Sequence, residues 1–227
     1  MEALHRPPTQ PGIFVSFEGG EGAGKSTQIA LLRDRLRASG RSVLTTREPG
    51  GSNRAEGIRA ILLSGQVKHL GSVGEAILFA AARRDHVETL IAPALGRGEI
   101  VLCDRFIDST RVYQGAVAGL EAALLANLDR AAAGETIPDM TVLIDVPVVL
   151  GLERARARRA ARGELVDRFE AEGAAYHEEV RRAFLALAEA EPVRCVVVDG
   201  SGPEGEVAAS IWAAVAPRVG LSGVAGA

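Results

Sequence analysis

Short apolar runs alternate along the chain with longer stretches in which apolar residues recur every three or four positions. The short runs predict strands at residues 13–17, 42–46, 100–103, 141–146 and 193–198. The periodic stretches predict helices at residues 27–39, 53–64, 75–96, 121–133, 148–162, 174–190 and 204–219. Strands that are apolar on both faces are typical of parallel sheets with helices on each side. The pattern therefore predicts a doubly wound α/β domain.

Residues 19–26 match the phosphate-binding pattern G-x-x-x-x-G-K-[ST] and lie between the first predicted strand and the first predicted helix. In such a loop, backbone N–H groups and the helix N-terminus converge on phosphate oxygens. Lys25 is expected to reach the β- and γ-phosphates, and the Ser26 hydroxyl to bind Mg²⁺. A glycine-rich turn that binds nothing would explain neither the lysine nor the hydroxyl. We therefore predict nucleotide binding by Gly19, Gly20, Glu21, Gly22, Ala23, Gly24, Lys25, Ser26 and Thr27.

Composition narrows the class of protein. The 227 residues suffice for one domain, and the hydrophobic fraction of 47% suffices for a substantial core. The formal net charge of −3 gives no basic field that would attract nucleic acid. No apolar run approaches the ~18 residues of a membrane span. We therefore expect neither a nucleic acid nor a membrane as a partner.

The cysteines and the chain ends add little chemistry. Cys103 and Cys195 each lie in a predicted buried strand, so we expect neither a disulfide framework nor a zinc site. Reduced cysteines favour a cytoplasmic location. Residues 1–11 contain three prolines and no apolar signal-peptide region, and they predict a disordered leader. Residues 220–227 predict a flexible tail, which leaves residues 12–219 as the single domain.

Polar or glycine-containing segments follow every predicted strand. Ligands of open α/β sheets bind beyond the carboxyl ends of the strands, so these segments predict one cleft. Asp104 ends a buried strand as a carboxylate that binds Mg²⁺ would, and Arg105 beside it is suited to grip a phosphate. A surface ion pair is the alternative for two such neighbours. Their position at the end of a buried strand favours the functional interpretation.

Phe79 and Arg83 lie four positions apart in a predicted helix and therefore share a face. A ring and a guanidinium side by side would stack on a base and bind its edge. The alternative, one core aromatic and one solvated arginine, is the better explanation of the pair taken by itself. We interpret the neighbouring Arg84, Asp85 and His86 as surface or helix-packing residues.

Five arginines crowd into residues 154–162. One interpretation is the solvated face of a helix, which is usual for a run of charge. The other is a mobile lid, because phosphoryl transfer needs positive charge at the transferring group and the exclusion of water. The residues alone favour neither interpretation.

Taken together, these segments resemble those of bacterial thymidylate kinases. The matching motifs follow the family's order within residues 17–27, 46–51, 79–88, 104–115 and 154–168. The phosphate loop is shared with many families, whereas the other four segments in this order are specific. The resemblance implies the P-loop nucleoside monophosphate kinase fold, a five-stranded parallel sheet surrounded by helices, with a lid at about residues 153–168. It implies transfer of the ATP γ-phosphoryl group to thymidine monophosphate (dTMP), a step of dTTP biosynthesis.

The resemblance also implies roles for residues of an acceptor pocket. Phe79 would stack on the thymine, and Arg83 would bind the edge of the base. Arg105 would hold the acceptor phosphate, Glu21 would contact the deoxyribose 3′-hydroxyl, and Tyr113 would crowd the 2′ position. The further pocket residues that the resemblance implies are Arg47, Pro49, Ser109, Thr110 and Gln114.

The family has two patterns for the cation at the transferring phosphate: a basic residue in the phosphate loop, or arginine supplied by the lid. Residues 21–23 are Glu, Gly and Ala, so the chain resembles the second pattern. Its lid is slightly longer than the family's usual form, which leaves both Arg158 and Arg162 as candidates. Arg162 is favoured, because residues 162–165 read Arg-Gly-Glu-Leu and keep the last part of the lid motif.

Two alternatives stay open. One is a different phosphotransferase, such as a deoxynucleoside kinase or another monophosphate kinase, because the aspartate–arginine motif is not unique to thymidylate. The other is a P-loop switch or scaffold that binds ATP and a protein partner, although this leaves Phe79, Arg83 and Tyr113 unexplained. The resemblance further implies a homodimer, with apolar helical surface within residues 76–95 available for pairing.

Overall fold

The computed structural model of the chain describes residues 12–163 and 172–221. Its centre is a five-stranded sheet in which every pair of neighbours is parallel. The spatial order of the strands is β2-β3-β1-β4-β5. Each strand begins and ends within two residues of its predicted position, so the α/β class is confirmed. The strands are β1 (Ile13–Glu18), β2 (Val43–Arg47), β3 (Ile100–Asp104), β4 (Met140–Asp145) and β5 (Cys195–Asp199).

The parallel register brings the carboxyl ends of the strands to one edge of the sheet. Phe17 of β1 and Arg47 of β2 both lie opposite Asp104, the last residue of β3. Asp145 at the end of β4 lies opposite Asp199 at the end of β5. The polar residues that follow the strands therefore meet at this edge, as the sequence predicts.

Helices cover both faces of the sheet. The face that carries Val15 and Phe17 packs against the helices at Lys25–Ala38 and Glu204–Val215, and the opposite face, which carries Phe14, packs against segments between Val87 and Ala133. The helix at Ala174–Ala190 packs beside Leu143 of β4 in a third apolar cluster. The helices of the described residues are α1 (Lys25–Ala38), α2 (Asn53–Leu63), α3 (Gly71–His86), α4 (Ala92–Gly96), α5 (Ile107–Thr110), α6 (Ala122–Ala133), α7 (Val148–Arg162), α8 (Ala174–Ala190) and α9 (Glu204–Val215).

The long helix predicted at residues 75–96 begins earlier and is not uniform. It starts at Gly71, and α3 continues through a π turn at Val87–Ile91 into α4. The π turn stands directly before the start of α4, where Pro93 lacks the N–H that an unbroken α-helix would use.

Two short helical segments have no counterpart in the predicted pattern. They are α5 with its continuation at Arg111–Val117, and a 3₁₀ turn at Lys68–Leu70. Conversely, the last predicted helix is shorter than expected. It ends at Val215, two residues before Pro217, which lacks the N–H that would continue the helical hydrogen bonds.

Within the described residues, no helix is both long enough and apolar enough to cross a membrane. The predicted leader at residues 1–11 lies outside the described residues. So do residues 222–227 of the predicted tail and residues 164–168 of the predicted lid.

Candidate functional site

One cleft of about 630 Å³ is built from the segments at the carboxyl edge of the sheet. This volume is typical of small-molecule sites. Every residue predicted to bind ATP, metal or acceptor lines the cleft, except Gly19 and Gly20, which lie beside it in the loop. The predicted catalytic residues Lys25, Arg105 and Arg158 line it as well. The side chain of Arg162 lies outside the described part of the chain.

The phosphate loop holds its lysine tightly. Gly24 has a φ of 89°, a left-handed conformation that favours glycine, and leads directly into α1. Lys25 Nζ donates hydrogen bonds to the carbonyl oxygens of Gly19 and Gly20, both at 3.1 Å. Burial lowers the pKa of Lys25 to about 8. The ammonium group is therefore poorly solvated in the loop and suited to an anionic phosphate.

The arginine-bearing helix α7 packs directly on the phosphate loop. A side chain at Gly22, whose φ is 66°, would collide with the carbonyl of Gly151, and a side chain at Gly151 would collide with the carbonyl of Glu21. The two glycines thus allow the helix and the loop to approach closely. Arg158 lies at this contact, where its Nη2 donates to Glu21 Oε1 at 2.9 Å.

Glu21 is surrounded by positive charge. Burial alone would raise its pKa, but Lys25, Arg105 and Arg158 outweigh burial and lower the pKa to about 2. The carboxylate is therefore ionised at neutral pH. It compensates the positive charges that converge at the loop.

The arginines of α7 occupy different environments. Arg158, which is exposed, and Arg159 line the cleft, whereas Arg156 is exposed and does not line it. Arg154 donates to the carbonyl oxygens of Gly200 and Ser201, after β5, at 2.8 and 3.2 Å. Arg154 and Arg158 thus each have a hydrogen-bond partner elsewhere in the protein.

The two predicted metal ligands are adjacent. Ser26 Oγ donates to Asp104 Oδ2 at 2.7 Å. Mg²⁺ prefers oxygen ligands and is usually held by one or two protein groups together with phosphate oxygens. The Ser26 hydroxyl at the start of α1 and the Asp104 carboxylate at the end of β3 fit this requirement.

Arg105 projects from an unusual backbone conformation. Its φ of 70° is in the left-handed region, which residues with a side chain seldom adopt. Its Nη1 donates to Ser109 Oγ at 3.1 Å, and its guanidinium carbon lies 5.3 Å from the centre of the Tyr113 ring. The predicted phosphate-binding and sugar-binding residues are thus neighbours.

Arg83 is buried rather than solvated, so the alternative of a solvated arginine is wrong. Its Nε donates to Glu48 Oε2 at 2.8 Å, and its Nη1 donates to Asp129 Oδ1 at 3.2 Å. Its Nη2 donates to the Phe106 carbonyl at 3.2 Å and to Thr110 Oγ1 at 3.0 Å. These contacts fix the guanidinium in the wall of the cleft, one helical turn after the predicted stacking residue.

Sequence reasoning missed a buried network behind this wall. His86 is fully buried within the core, not at the surface. Its Nδ1 lies 3.1 Å from Glu48 Oε1, and its Nε2 lies 2.7 Å from Thr46 Oγ1. Because Glu48 also binds Arg83, the network joins the end of β2 to α3.

The cleft also contains residues that no motif singled out. Arg59 and Leu63 reach it from α2, and His177 reaches it from the start of α8. Within the described residues, Nε2 of His177 is buried and has no hydrogen-bond partner. These side chains belong to helices far along the chain from the phosphate loop, and nothing in their local sequence signals a site.

Comparison with known proteins gives concordant matches. A family model described as Thymidylate kinase matches residues 17–211. Proteins named Thymidylate kinase from Nitrobacter winogradskyi and Caulobacter vibrioides are 51% and 50% identical, over 96% and 92% of this chain and 94% and 99% of their own lengths. The crystal structure of a thymidylate kinase from Ehrlichia chaffeensis is 30% identical and matches with a TM-score of 0.72, covering 90% of this chain and 99% of that chain.

Proposed function

The chain belongs to the thymidylate kinase family, and we propose that its cleft transfers the γ-phosphoryl group of ATP to dTMP, giving ADP and dTDP. The five-stranded sheet with its surrounding helices is the P-loop nucleoside monophosphate kinase fold of that family. Family membership favours this reaction over another nucleotide kinase and over a switch without an acceptor.

The assignment of residues to this reaction depends mainly on one observation. The phosphate loop and the residues predicted to hold the acceptor line the same cleft. Lys25 and Ser26 lie there together with Arg105, while Phe79 and Arg83 form part of its wall. Donor and acceptor phosphates would therefore meet in a single space, as in-line transfer requires.

The donor half of the cleft binds ATP through the phosphate loop. Backbone N–H groups of residues 19–26 surround the phosphates, and Lys25 brings positive charge to the β- and γ-phosphates. Ser26 and Asp104 would hold Mg²⁺. When bound, the ion supplies further neutralisation of phosphate charge.

The acceptor half binds dTMP by its base and its phosphate. Phe79 stacks on the thymine, and Arg83, oriented by Glu48, binds the edge of the base. Arg105 binds the phosphate of dTMP, which it approaches from the end of β3. The pocket is completed by Arg47, Pro49, Ser109, Thr110 and Gln114.

Two further residues select the sugar. Glu21 is ionised and accepts a hydrogen bond from the 3′-hydroxyl. Tyr113, beside Arg105, limits the space at the 2′ position and so favours deoxyribose over ribose.

Besides Lys25, further positive charge for the transferring phosphoryl group comes from α7. Residues 21–23 of the loop contain no cation, whereas Arg158 already lies against the loop. Arg162 follows one helical turn later and remains the favoured residue from the motif. An arginine that reaches the group during transfer stabilises the transition state more than the ground state.

We also propose that the chain acts in the cytoplasm as a homodimer that pairs through α3. Much of the expected surface at residues 76–95 is core, because Ile91 and Ala94 are fully buried. Val73 and Ile77 of α3, however, are 44% and 50% exposed on one helical face, and Leu70, directly before α3, is 47% exposed. We name these three residues the α3 apolar stripe. Pairing would remove the stripe from water.

The reaction is tested by ADP formation from ATP with a panel of acceptors: dTMP, dUMP, purine deoxynucleoside monophosphates, thymidine and none. We expect turnover to depend on the acceptor and to be fastest with dTMP. Discrimination against dUMP should be the weakest, since one methyl group contributes only about 1–3 kcal/mol. Fastest turnover with thymidine would favour a deoxynucleoside kinase, and the absence of acceptor-dependent turnover would favour a switch.

A further inference from the structure

Glu18 is a fully buried carboxylate that none of the steps above uses. It is the last residue of β1 and directly precedes the phosphate loop. Burial, together with the negative charge of Asp108, raises the pKa of Glu18 to about 7. A buried carboxylate is costly unless its oxygens are well paired, so its partners indicate what it does.

Both oxygens of Glu18 face the segment that follows β3. Oε1 accepts hydrogen bonds from the backbone N–H groups of Phe106 at 2.8 Å and Ser109 at 3.2 Å. Oε2 accepts a hydrogen bond from the Ser109 hydroxyl at 2.7 Å. Glu18 therefore ties the end of β1 to the segment that carries Arg105.

Ser109 extends this contact to the Arg105 side chain. Nη1 of Arg105 donates to Ser109 Oγ at 3.1 Å and lies 4.0 Å from Glu18 Oε2. Arginine only donates hydrogen bonds, so Ser109 Oγ accepts from Arg105 and its own hydrogen is directed to Glu18 Oε2. The lone pairs of Oγ are then left for the Arg105 N–H. Glu18 thus sets the direction of the hydroxyl, and the hydroxyl orients the guanidinium.

The backbone of Arg105 does not supply this orientation by itself. Its left-handed conformation is held by hydrogen bonds on both sides, from the Arg105 N–H to the Phe17 carbonyl at 2.9 Å and from Cys103 Sγ to the Arg105 carbonyl at 3.0 Å. Both contacts act on the main chain of Arg105, whereas the contact through Ser109 acts on its side chain.

We propose that Glu18 is a positioning residue for the acceptor phosphate: through Ser109 it holds the Arg105 guanidinium in the orientation that binds the phosphate of dTMP. The inference rests on the proposed function, which assigns Arg105 to that phosphate. A purely structural role would stabilise the fold without favouring one substrate over the other.

Glu18→Gln separates these two roles. The amide has nearly the shape of the carboxylate, but one of its two polar groups is an NH₂ donor. In one orientation the NH₂ group faces the two backbone N–H donors. In the other it faces Ser109 Oγ, the oxygen that accepts the hydrogen bond from Arg105. Affinities for dTMP alone and for ATP alone are measured by isothermal titration calorimetry. We expect the Kd for dTMP to rise roughly tenfold or more, and the Kd for ATP to change less than about twofold.

A second variant tests the connection through the hydroxyl. Ser109→Ala keeps the backbone contacts of Glu18 and removes the link to Arg105. Ser109→Ala should also weaken dTMP binding. The double variant should lose no more dTMP affinity than the more severe single variant, because both substitutions remove the same contact between Glu18 and Arg105. Asp139→Asn is the matched control. The Asp139 carboxylate accepts a hydrogen bond from the Phe14 N–H at 2.7 Å, at the end of β1 away from the cleft. Loss of this carboxylate should lower the melting temperature without changing the affinity for dTMP or for ATP.

Equal weakening of dTMP and ATP binding by Glu18→Gln, or unchanged dTMP binding, would overturn the inference. If Glu18→Gln does not fold, Ser109→Ala decides, and unchanged dTMP affinity in that variant would overturn it. Failure of the wild-type chain to bind dTMP would instead overturn the proposed function, and the inference with it.

Discussion

At the scale of single residues, the charged groups of the cleft are held in place before any ligand arrives. Lys25 donates hydrogen bonds to two loop carbonyls, and Arg83 donates hydrogen bonds to four groups of the protein. Glu21 is paired with Arg158. Groups that are already ordered lose less conformational freedom on binding. Single substitutions should therefore have large and separable effects on the two substrates.

Replacement of Lys25 tests the donor site. Lys25→Ala should lower kcat by about 10²–10³-fold, because the lysine faces charge that develops during transfer. ADP formation measures the loss, and circular dichroism shows whether the fold is retained. Lys68→Ala, which removes the chain's other lysine at an exposed position, should leave kcat unchanged. Near-normal turnover of a folded Lys25→Ala variant would rule out the assignment of the phosphate loop.

Replacement of Phe79 tests the acceptor site. Phe79→Ala should raise the KM for dTMP, because a stacked base loses roughly 1–3 kcal/mol when its aromatic partner is removed. The KM for ATP, measured in the same variant, is the internal control and should stay near its wild-type value. The opposite outcome, a raised KM for ATP alone, would show that the acceptor pocket has been misplaced.

At the scale of elements, the central contact is that of α7 with the phosphate loop. Gly22 and Gly151 let the two backbones approach, and their contact brings Arg158 beside Glu21. The helix therefore carries its arginines to a phosphate loop whose residues 21–23 contain no cation. This arrangement predicts that the arginines affect chemistry more than binding.

The arginines are tested individually and together. Arg162→Ala should lower kcat strongly, up to the ~10³–10⁵-fold reported for arginine fingers, with little change in the KM for dTMP. Arg158→Ala and the double variant are measured in parallel, and Arg156→Ala, exposed on the same helix, is the control. Steady-state ADP formation gives both constants. If both single variants and the double variant keep wild-type kcat, α7 does not serve the reaction.

The strands and most helices were predictable because their apolar residues are the ones that become buried. The segment Ile107–Thr110 with Arg111–Val117 was not, because its buried face includes Asp108, Thr110 and Gln114. Helical periodicity of apolar residues cannot reveal a helix that buries polar groups. Those groups are satisfied by partners far along the chain, such as Arg194 for Asp108.

The cleft was predictable where a motif lies beside a strand, as for Asp104 and Arg105. The supporting residues were not, because their roles depend on contacts between distant segments. His86 and Glu48 meet across 38 positions, and Glu18 and Ser109 meet across 91. A single sequence gives no sign of such pairs.

At the scale of the whole molecule, the α3 apolar stripe predicts a dimer. Val73→Glu with Ile77→Glu would place two like charges in the paired surface, and this should shift the mass in multi-angle light scattering from dimer to monomer. Val193→Glu changes another exposed apolar residue, which is 79% exposed, and should leave the mass unchanged. A monomeric wild-type chain at micromolar concentration would contradict the proposal.

We propose that one cleft holds dTMP by its base and its phosphate, with the acceptor phosphate turned toward the phosphate loop. A crystal structure of the chain with dTMP would show this arrangement. We expect thymine to be stacked on Phe79 with its edge at Arg83, and the dTMP phosphate to lie at Arg105. Thymine bound away from Phe79, or the dTMP phosphate seated in the phosphate loop at Lys25, would contradict it.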